Sequence, residues 1–147
     1  MSEESNPVRP ALASTKEILI VDDDEAMLNL LKILVHRDGF RIDTAATGDD
    51  ALEKLRRPKD ALILDLMLPG TTSGFDVLKR LREFKGKIPP VIVVTAHAQS
   101  HEVKQVTSDP NVVLFMTKPI NQDRLLAALH KVLNTVNPFP EDGEKKP

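Results

Sequence analysis

Four short, continuous apolar runs constrain the fold of this chain more than any other feature. They are rich in β-branched and aliphatic residues and lie at Ile18 to Val21, Ala61 to Leu64, Val91 to Val94 and Val112 to Met116. Such runs are typical of parallel strands that are buried on both faces. A weaker fifth run lies near Phe40 to Thr44. We therefore expect a five-stranded parallel sheet.

Segments with the helical spacing of apolar residues separate these runs. Gly39 is placed to end the first helix, and Asn121 is placed to cap the last. The segment from Gln99 to Thr107 has only Val103 and Val106 as apolar anchors, and it is the predicted fourth of five helices. Five repeats of strand then helix fold through right-handed crossovers into a doubly wound α/β sheet covered on both faces.

The length of 147 residues fits one domain. The ends are polar or Pro-rich without periodicity, so we predict disordered tails at 1–15 and 137–147 around a domain at 16–136. The chain could be a stand-alone protein or a domain cut from a longer one, and since it begins with Met and carries a tail at each end, we expect the first.

Composition excludes several classes of function. The chain has no Cys, which excludes disulfides and thiolate metal sites. A net charge of −2 and the absence of Trp and Tyr argue against direct nucleic-acid binding. No apolar stretch is long enough to cross a membrane, so we expect a cytoplasmic protein with no membrane contact.

Polar residues follow four of the five predicted strands. They are Asp22 to Asp24 after the first, Asp65 after the third, Thr95 at the end of the fourth and Lys118 after the fifth. In open parallel sheets, ligands bind outside the carboxyl ends of the strands. Carboxylates gathered there repel one another unless a cation lies between them, and their oxygens suit Mg²⁺. Asp65 is then a candidate nucleophile for phosphoryl transfer, with Lys118 and Thr95 meeting the transferred charge.

Each of these residues also has an ordinary structural interpretation. Asp22 to Asp24 could simply cap a helix, and Asp65 could be a turn residue. Lys118 and Thr95, taken singly, would most often be surface residues. The conjunction of acid, acid, hydroxyl and ammonium at four strand ends favours a common site.

Four motifs carry a resemblance to a known family. They are Ile-Leu-Ile-Val-Asp-Asp-Asp at 18–24, Leu-Ile-Leu-Asp-Leu-Met-Leu-Pro-Gly at 62–70, Val-Val-Thr-Ala at 93–96 and Met-Thr-Lys-Pro at 116–119. Over about 16–136 the chain resembles the receiver domains of bacterial two-component response regulators. This resemblance implies a flavodoxin-like (CheY-like) sheet with strand order 2-1-3-4-5.

The resemblance also implies roles for the acidic residues. Asp65 would be the phosphoacceptor. Mg²⁺ (or Mn²⁺) would be bound by Asp23, Asp65 and the Met67 backbone carbonyl, with Asp22 holding the metal mainly through water. An apolar Met67 side chain cannot orient an attacking water, so we expect slow self-dephosphorylation; His97 occupies a second position that influences phosphoryl lifetime in the family.

The remaining implied roles concern switching. Thr95 would be the switch hydroxyl, Lys118 its cationic partner and Phe115 the aromatic that couples to Thr95, although Phe115 is equally explicable as core. The Lys118-Pro119 bond resembles the family's cis peptide. The chain departs from the family pattern at 70–74, which contains one extra residue, and at 108–113.

The implied function is a phosphorylatable switch and not an enzyme beyond its own phosphotransfer and dephosphorylation. The donor would be a histidine kinase or a histidine phosphotransfer protein, and the output a contact with an unknown protein through the face of helix 4, strand 5 and helix 5. Two alternatives remain open. One is a haloacid-dehalogenase-type phosphatase with Asp22 as nucleophile and Asp24 as acid/base. That family needs a further acidic cluster after the lysine, and this chain has none directly after Lys118. The other is an interaction module that never carries phosphate.

Overall fold

The structure is a computed structural model that describes residues 9–96 and 99–137. In this part of the chain, short strands and helices alternate in the order β1 (Ala11–Leu12), β2 (Glu17–Val21), α1 (Glu25–Arg37), β3 (Arg41–Ala45), α2 (Gly48–Lys54), β4 (Ala61–Leu64), α3 (Gly74–Arg82), β5 (Val91–Thr95), α4 (Ser100–Thr107), β6 (Val112–Thr117), α5 (Gln122–Leu133) and β7 (Thr135–Val136). None of the described helices is long and apolar enough to span a membrane.

The central sheet has five parallel strands in the order β3-β2-β4-β5-β6. Numbered among themselves along the chain, these strands have the predicted order 2-1-3-4-5. The ends of neighbouring strands are aligned, since Val21 pairs in register with both Ala45 and Leu64. Residues that follow these strands therefore emerge at the same edge of the sheet, and the predicted α/β fold is confirmed.

The core lies in two layers, one on each face of this sheet. Successive side chains of a strand point to opposite faces. Leu19 and Val21 therefore pack with residues of α2, α3 and α4, whereas Ile18 and Ile20 pack with residues of α1 and α5. Each such fully buried aliphatic side chain stabilises the fold by roughly 1.5–3 kcal/mol.

Side-chain caps begin several of the helices, and the cap at Asn121 is the predicted one. Thr47 accepts a hydrogen bond from the Asp50 N–H at 3.0 Å, and Asn121 accepts one from the Arg124 N–H at 3.0 Å. The predicted fourth helix is also present, although Val106 is its only buried residue. Its start is reinforced by the Glu102 carboxylate, which accepts a hydrogen bond from the Gln99 N–H at 3.0 Å.

The predicted disordered tail over residues 1–15 is wrong for residues 11–15. β1 pairs in parallel with β7, and a 3₁₀ turn over Ala13–Thr15 leads into the sheet. Ala13 is fully buried, and Arg41 Nε donates a hydrogen bond to the Ser14 carbonyl at 3.1 Å. Two strand residues are too few to show periodicity in the sequence. Residues 1–8 and 138–147, which carry the rest of the predicted tails, lie outside the described residues.

Candidate functional site

Two buried aspartates lie side by side where β2 and β4 end. The backbone ladder continues one step past these strands: the Asp22 N–H donates to Ala45 O at 3.1 Å, and the Asp65 N–H donates to Val21 O at 3.0 Å. The backbone of both aspartates is thereby fixed by the sheet. Asp22 exposes 1% of its surface and Asp65 exposes 5%.

Asp23 completes an acidic cluster with these two residues. One carboxylate oxygen from each of Asp22, Asp23 and Asp65 lies within 4.8 Å of the others. Asp23 is exposed, so the cluster opens to solvent on its side. Three converging carboxylate oxygens are a donor set that suits a hard cation such as Mg²⁺.

Backbone amides hold one oxygen of each buried carboxylate. Asp22 Oδ1 accepts from the Asp24 N–H at 2.9 Å, and Asp65 Oδ1 accepts from the Met67 N–H at 3.0 Å. Asp24 itself turns away from the cluster, because its Oδ1 accepts from the N–H groups of Ala26 and Met27 at 3.0 and 3.3 Å. The helix-cap interpretation therefore describes Asp24, whereas Asp22 and Asp23 belong to the acidic cluster.

Lys118 lies against the second oxygen of both buried aspartates. Its Nζ is 2.9 Å from Asp22 Oδ2 and 3.1 Å from Asp65 Oδ2. The Lys118 N–H donates to the Thr95 carbonyl at 2.8 Å, which ties the residue to the end of β5. The Lys118-Pro119 peptide is cis, as the family resemblance implied. One ammonium group thus faces three carboxylates.

Burial and ion pairing compete at this site. Burial raises the pKa of Asp22 above its usual value, and it outweighs the opposing hydrogen bonds from Lys118 and the Asp24 amide. Burial alone would lower the pKa of Lys118, but the hydrogen bonds to Asp22 and Asp65 outweigh it and raise that pKa. Ion pairing therefore sets the direction of the pKa shift for Lys118. Burial sets it for Asp22, because Asp22 has almost no contact with water. Lys118 stays charged, and its one ammonium is set against a cluster of three aspartates.

The two predicted switch residues lie on neighbouring strands. Thr95 is fully buried at the end of β5 and pairs in register with Thr117 of β6. Phe115 lies two residues before Thr117, is partly buried and packs against the core layer that contains α2, α3 and α4. Both interpretations of Phe115 given above are compatible with this position. His97 lies outside the described residues.

The loop with one extra residue, 70–74, is held at two points, Thr72 and Gly74. A Cβ on Gly74 would lie 2.3 Å from the Asp65 carbonyl oxygen, so the chain after the loop passes too close to Asp65 for any other residue. Thr72 Oγ1 donates to Asp49 Oδ1 at 2.6 Å, which fastens the loop to the start of α2. Sequence reasoning missed this contact, since nothing in the pattern links residues 23 positions apart.

A family model described as the response regulator receiver domain matches residues 18–130. Transcriptional regulatory protein TrcR of Mycobacterium tuberculosis is 32% identical over 127 residues, which are 86% of this chain and 48% of TrcR. Alkaline phosphatase synthesis transcriptional regulatory protein PhoP of Bacillus subtilis is 34% identical over 119 residues, 80% of this chain and 48% of PhoP. The chain spans about half the length of these curated relatives.

Solved structures agree with the family model. The response regulator receiver domain protein (CheY-like) from Methanospirillum hungatei JF-1 is similar with a TM-score of 0.73 and 27% identity, covering 80% of this chain and 93% of that one. Response regulator protein TrrA from Thermotoga maritima, solved in complex with Mg(2+)-BeF, is similar with a TM-score of 0.69 and 34% identity, covering 80% and 99%.

Proposed function

This chain belongs to the response regulator receiver domain family, and from that premise we propose that it is a signalling switch that accepts a phosphoryl group on Asp65. The observation that carries this proposal is the acidic cluster, in which oxygens of Asp23 and Asp65 lie within 4.8 Å of each other while Lys118 Nζ lies 3.1 Å from Asp65. A carboxylate held between a cation site and a fixed ammonium is suited to attack phosphorus.

The acidic cluster fits Mg²⁺, or Mn²⁺ in its place, because it offers three oxygen donors within 4.8 Å of one another. Asp23, Asp65 and the Met67 carbonyl would hold the ion, and Asp22 would hold it mainly through water. When bound, the ion supplies positive charge to the oxygens of the transferring group.

The residues of the chain then have separate tasks in the transfer. An oxygen of Asp65 forms the new P–O bond while the P–N bond of a phosphohistidine breaks, and the departing imidazole takes up a proton. The Met67 N–H fixes the orientation of the Asp65 carboxylate, since it donates to Oδ1 at 3.0 Å. The Lys118 ammonium shifts its contact from the Asp65 carboxylate to a phosphoryl oxygen. The Thr95 hydroxyl donates a hydrogen bond to a second phosphoryl oxygen.

We assign the switching role to Thr95, which is buried at the end of β5. A Thr95 hydroxyl drawn to the phosphoryl group changes the packing near Phe115 and biases a pre-existing equilibrium. The face formed by α4, β6 and α5 then contacts a downstream protein. The phosphoryl donor is a histidine kinase or histidine phosphotransfer protein, and the exchange takes place in the cytoplasm. The relatives named above are transcriptional regulators; in this chain the output is a protein contact.

One observation weighs against the phosphatase alternative. A haloacid-dehalogenase-type mechanism needs the Asp24 carboxylate as acid/base, but this carboxylate caps α1 through Ala26 and Met27. Turnover of a phosphate ester that survives Asp65→Asn and is lost in Asp22→Asn would nevertheless favour that mechanism.

The direct test is incubation with Mg²⁺ and a small-molecule phosphodonor, followed by intact-mass measurement. The wild type should gain one phosphoryl group, and Asp65→Asn should gain none. Asp43→Asn is the matched control, because Asp43 is also paired with a lysine but lies outside the acidic cluster. A wild type without label, or an Asp65→Asn variant labelled as fully as the wild type, contradicts the proposal.

A further inference from the structure

An open apolar groove lies between the outer face of α1 and the start of β3. Its volume is about 710 Å³, and Ile33, Phe40 and Ile42 form its apolar lining. Ile33 exposes 63% of its surface, which is unusual for an isoleucine on a helix of a packed domain. β3 is an edge strand of the central sheet, so no further strand lies beyond it among the described residues. Exposed apolar surface of this kind marks an interaction site.

The groove has a basic rim. Lys32, His36 and Arg41 also line it, all three are exposed, and its lining includes no acidic residue. The two acids adjacent to the lining in sequence are engaged elsewhere. Asp38 contacts His130 Nε2 at 3.0 Å and Asn137 Nδ2 at 3.4 Å, and Asp43 contacts Lys59 Nζ at 3.2 Å. An occupant of this groove should therefore combine an apolar side chain with negative charge.

The described chain ends beside this groove. β7 runs parallel to β1, with Ala11 opposite Thr135 and Leu12 opposite Val136. Asn137, the last described residue, follows directly after this pair. The Asn137 side chain also donates to Asp38 Oδ1, one residue before Gly39 of the groove lining.

The residues that follow Asn137 have the chemistry that the groove requires. They read Pro138-Phe139-Pro140-Glu141-Asp142. Phe139 is a large apolar side chain, and two acids follow it. Two residues of extended chain span about 7 Å, so Phe139 lies within reach of a groove that begins next to Asp38. The flanking prolines restrict the backbone in advance and lower the entropy cost of ordering the segment.

We propose that residues 138–142 dock in this groove, with Phe139 between Ile33 and Ile42 and with Glu141 and Asp142 against Lys32 and Arg41. The segment thus covers the exposed face of α1 within one molecule. Docking is independent of phosphorylation, so it is tested without Mg²⁺ or a phosphodonor.

The absence of Trp from the chain provides a clean reporter. Phe139→Trp introduces a single indole at the proposed anchor, and Lys146→Trp is the matched control, because it places the indole in the same tail but beyond residues 138–142. In the full chain the emission of Phe139→Trp should be shifted to the blue relative to the control and should be less accessible to acrylamide. Identical emission and quenching of the two variants overturn the proposal.

A second substitution tests the groove. Ile33→Glu, introduced into Phe139→Trp, should return the emission to that of the control, since it places a charge on the apolar lining and repels Glu141 and Asp142. Denaturant unfolding checks that this exposed substitution leaves the fold intact. Unchanged emission after Ile33→Glu overturns the proposal. A blue shift that disappears on dilution, together with dimers in sedimentation, also overturns it and assigns the groove to a second copy of the chain.

Discussion

Two clusters of acids around a lysine lie in this domain, and they differ in how completely their charge is balanced. In the acidic cluster, Lys118 contacts Asp22 at 2.9 Å and Asp65 at 3.1 Å. In a second cluster, which we call the β3-side cluster, Lys59 contacts Glu17 at 3.3 Å and Asp43 at 3.2 Å. Lys54 supplies a second ammonium to Asp43 at 3.4 Å and also contacts Asp50 at 3.5 Å, so two lysines serve three acids there. The acidic cluster has one lysine for three aspartates, since Asp23 is its third carboxylate.

The two clusters shift the pKa of their aspartates in opposite directions. Burial raises the pKa of Asp22 and prevails over its hydrogen bonds. Burial also acts to raise the pKa of Asp43, but the hydrogen bonds from Lys59 and the Thr44 amide and the charge of Lys54 together lower it. The β3-side cluster is thus satisfied by its own residues. In the acidic cluster a single lysine contacts two of three aspartates, and this difference distinguishes a candidate cation site from a structural ion pair.

Removing each lysine should give the largest difference between the clusters. Lys118→Met should lower the free energy of unfolding by about 3 kcal/mol in metal-free buffer at pH 7, because Asp22 and Asp65 lose the partner of two buried charges. Lys59→Met should cost about 1 kcal/mol, since Glu17 and Asp43 are partly solvated. Denaturant unfolding measures both values. Equal losses would show that the two clusters are equivalent.

Magnesium should distinguish the clusters by stabilising only one of them. At an ion concentration about 100 times the dissociation constant, Mg²⁺ should stabilise the wild type by about 2.7 kcal/mol. Asp43→Asn should keep this gain, and Asp23→Asn should lose most of it. Asp23 is exposed, so its substitution does not disturb the core. Thermal unfolding with Mg²⁺ and with chelator measures the effect, and a gain that persists in Asp23→Asn contradicts the metal site.

The pH dependence of stability should have opposite signs at the two aspartates. Because the pKa of Asp43 is lowered on folding, its contribution is present above the usual value of 3.8 and is lost as the pH falls through the lower folded pKa. Asp43→Asn should therefore cost about 1 kcal/mol at pH 7, reduced by solvent screening, and nothing in strong acid.

The pKa of Asp22 is raised on folding, so its ionisation destabilises the folded chain as the pH rises above 3.8 toward the folded pKa. In metal-free buffer, Asp22→Asn should accordingly lose less stability at pH 7 than in acid, relative to the wild type. Unfolding curves at several pH values compare the two variants. The same sign for both would mean that their environments do not differ as described.

The smallest expected effect concerns Met67, which exposes 56% of its surface next to the acidic cluster. Met67→Asn should speed self-dephosphorylation about threefold, equivalent to ~0.7 kcal/mol, because an amide can orient water and a thioether cannot. The decay of the label, followed by intact mass, measures this rate. Ile33→Asn, an exposed apolar-to-amide change on α1 outside the acidic cluster, is the control, and unchanged decay in Met67→Asn contradicts the expectation.

Most of the fold could be predicted because its signals are local. Continuous apolar runs mark strands that are buried on both faces, and helical spacing marks the segments between them. The acidic cluster could be predicted for a related reason: once the strands are parallel, the residues that follow them must meet at one edge. Asp22, Asp65 and Lys118 do so here. The functional roles of these residues remain proposals.

Other contacts gave no signal in the pattern. The pairing of β1 with β7 joins two-residue strands from opposite ends of the described chain, and neither is long enough to show a period. Thr72 contacts Asp49, which lies 23 positions earlier, and Gly74 lets the chain after the loop pass close to Asp65. Likewise, Asp24 is assigned to the helix cap and Asp23 to the acidic cluster by backbone direction, which three consecutive aspartates in a sequence do not reveal.

Local patterns in the chain specify which strands and helices form and which polar residues stand at the ends of strands, because hydrophobic period and capping act over a few neighbouring residues. The balance of charge depends on tertiary contacts. Burial and distance between residues far apart in the chain set the pKa of Asp22 and of Asp43 in opposite directions. The strength of a charge interaction depends on its separation and on the water around it, and neither exists until the chain is packed.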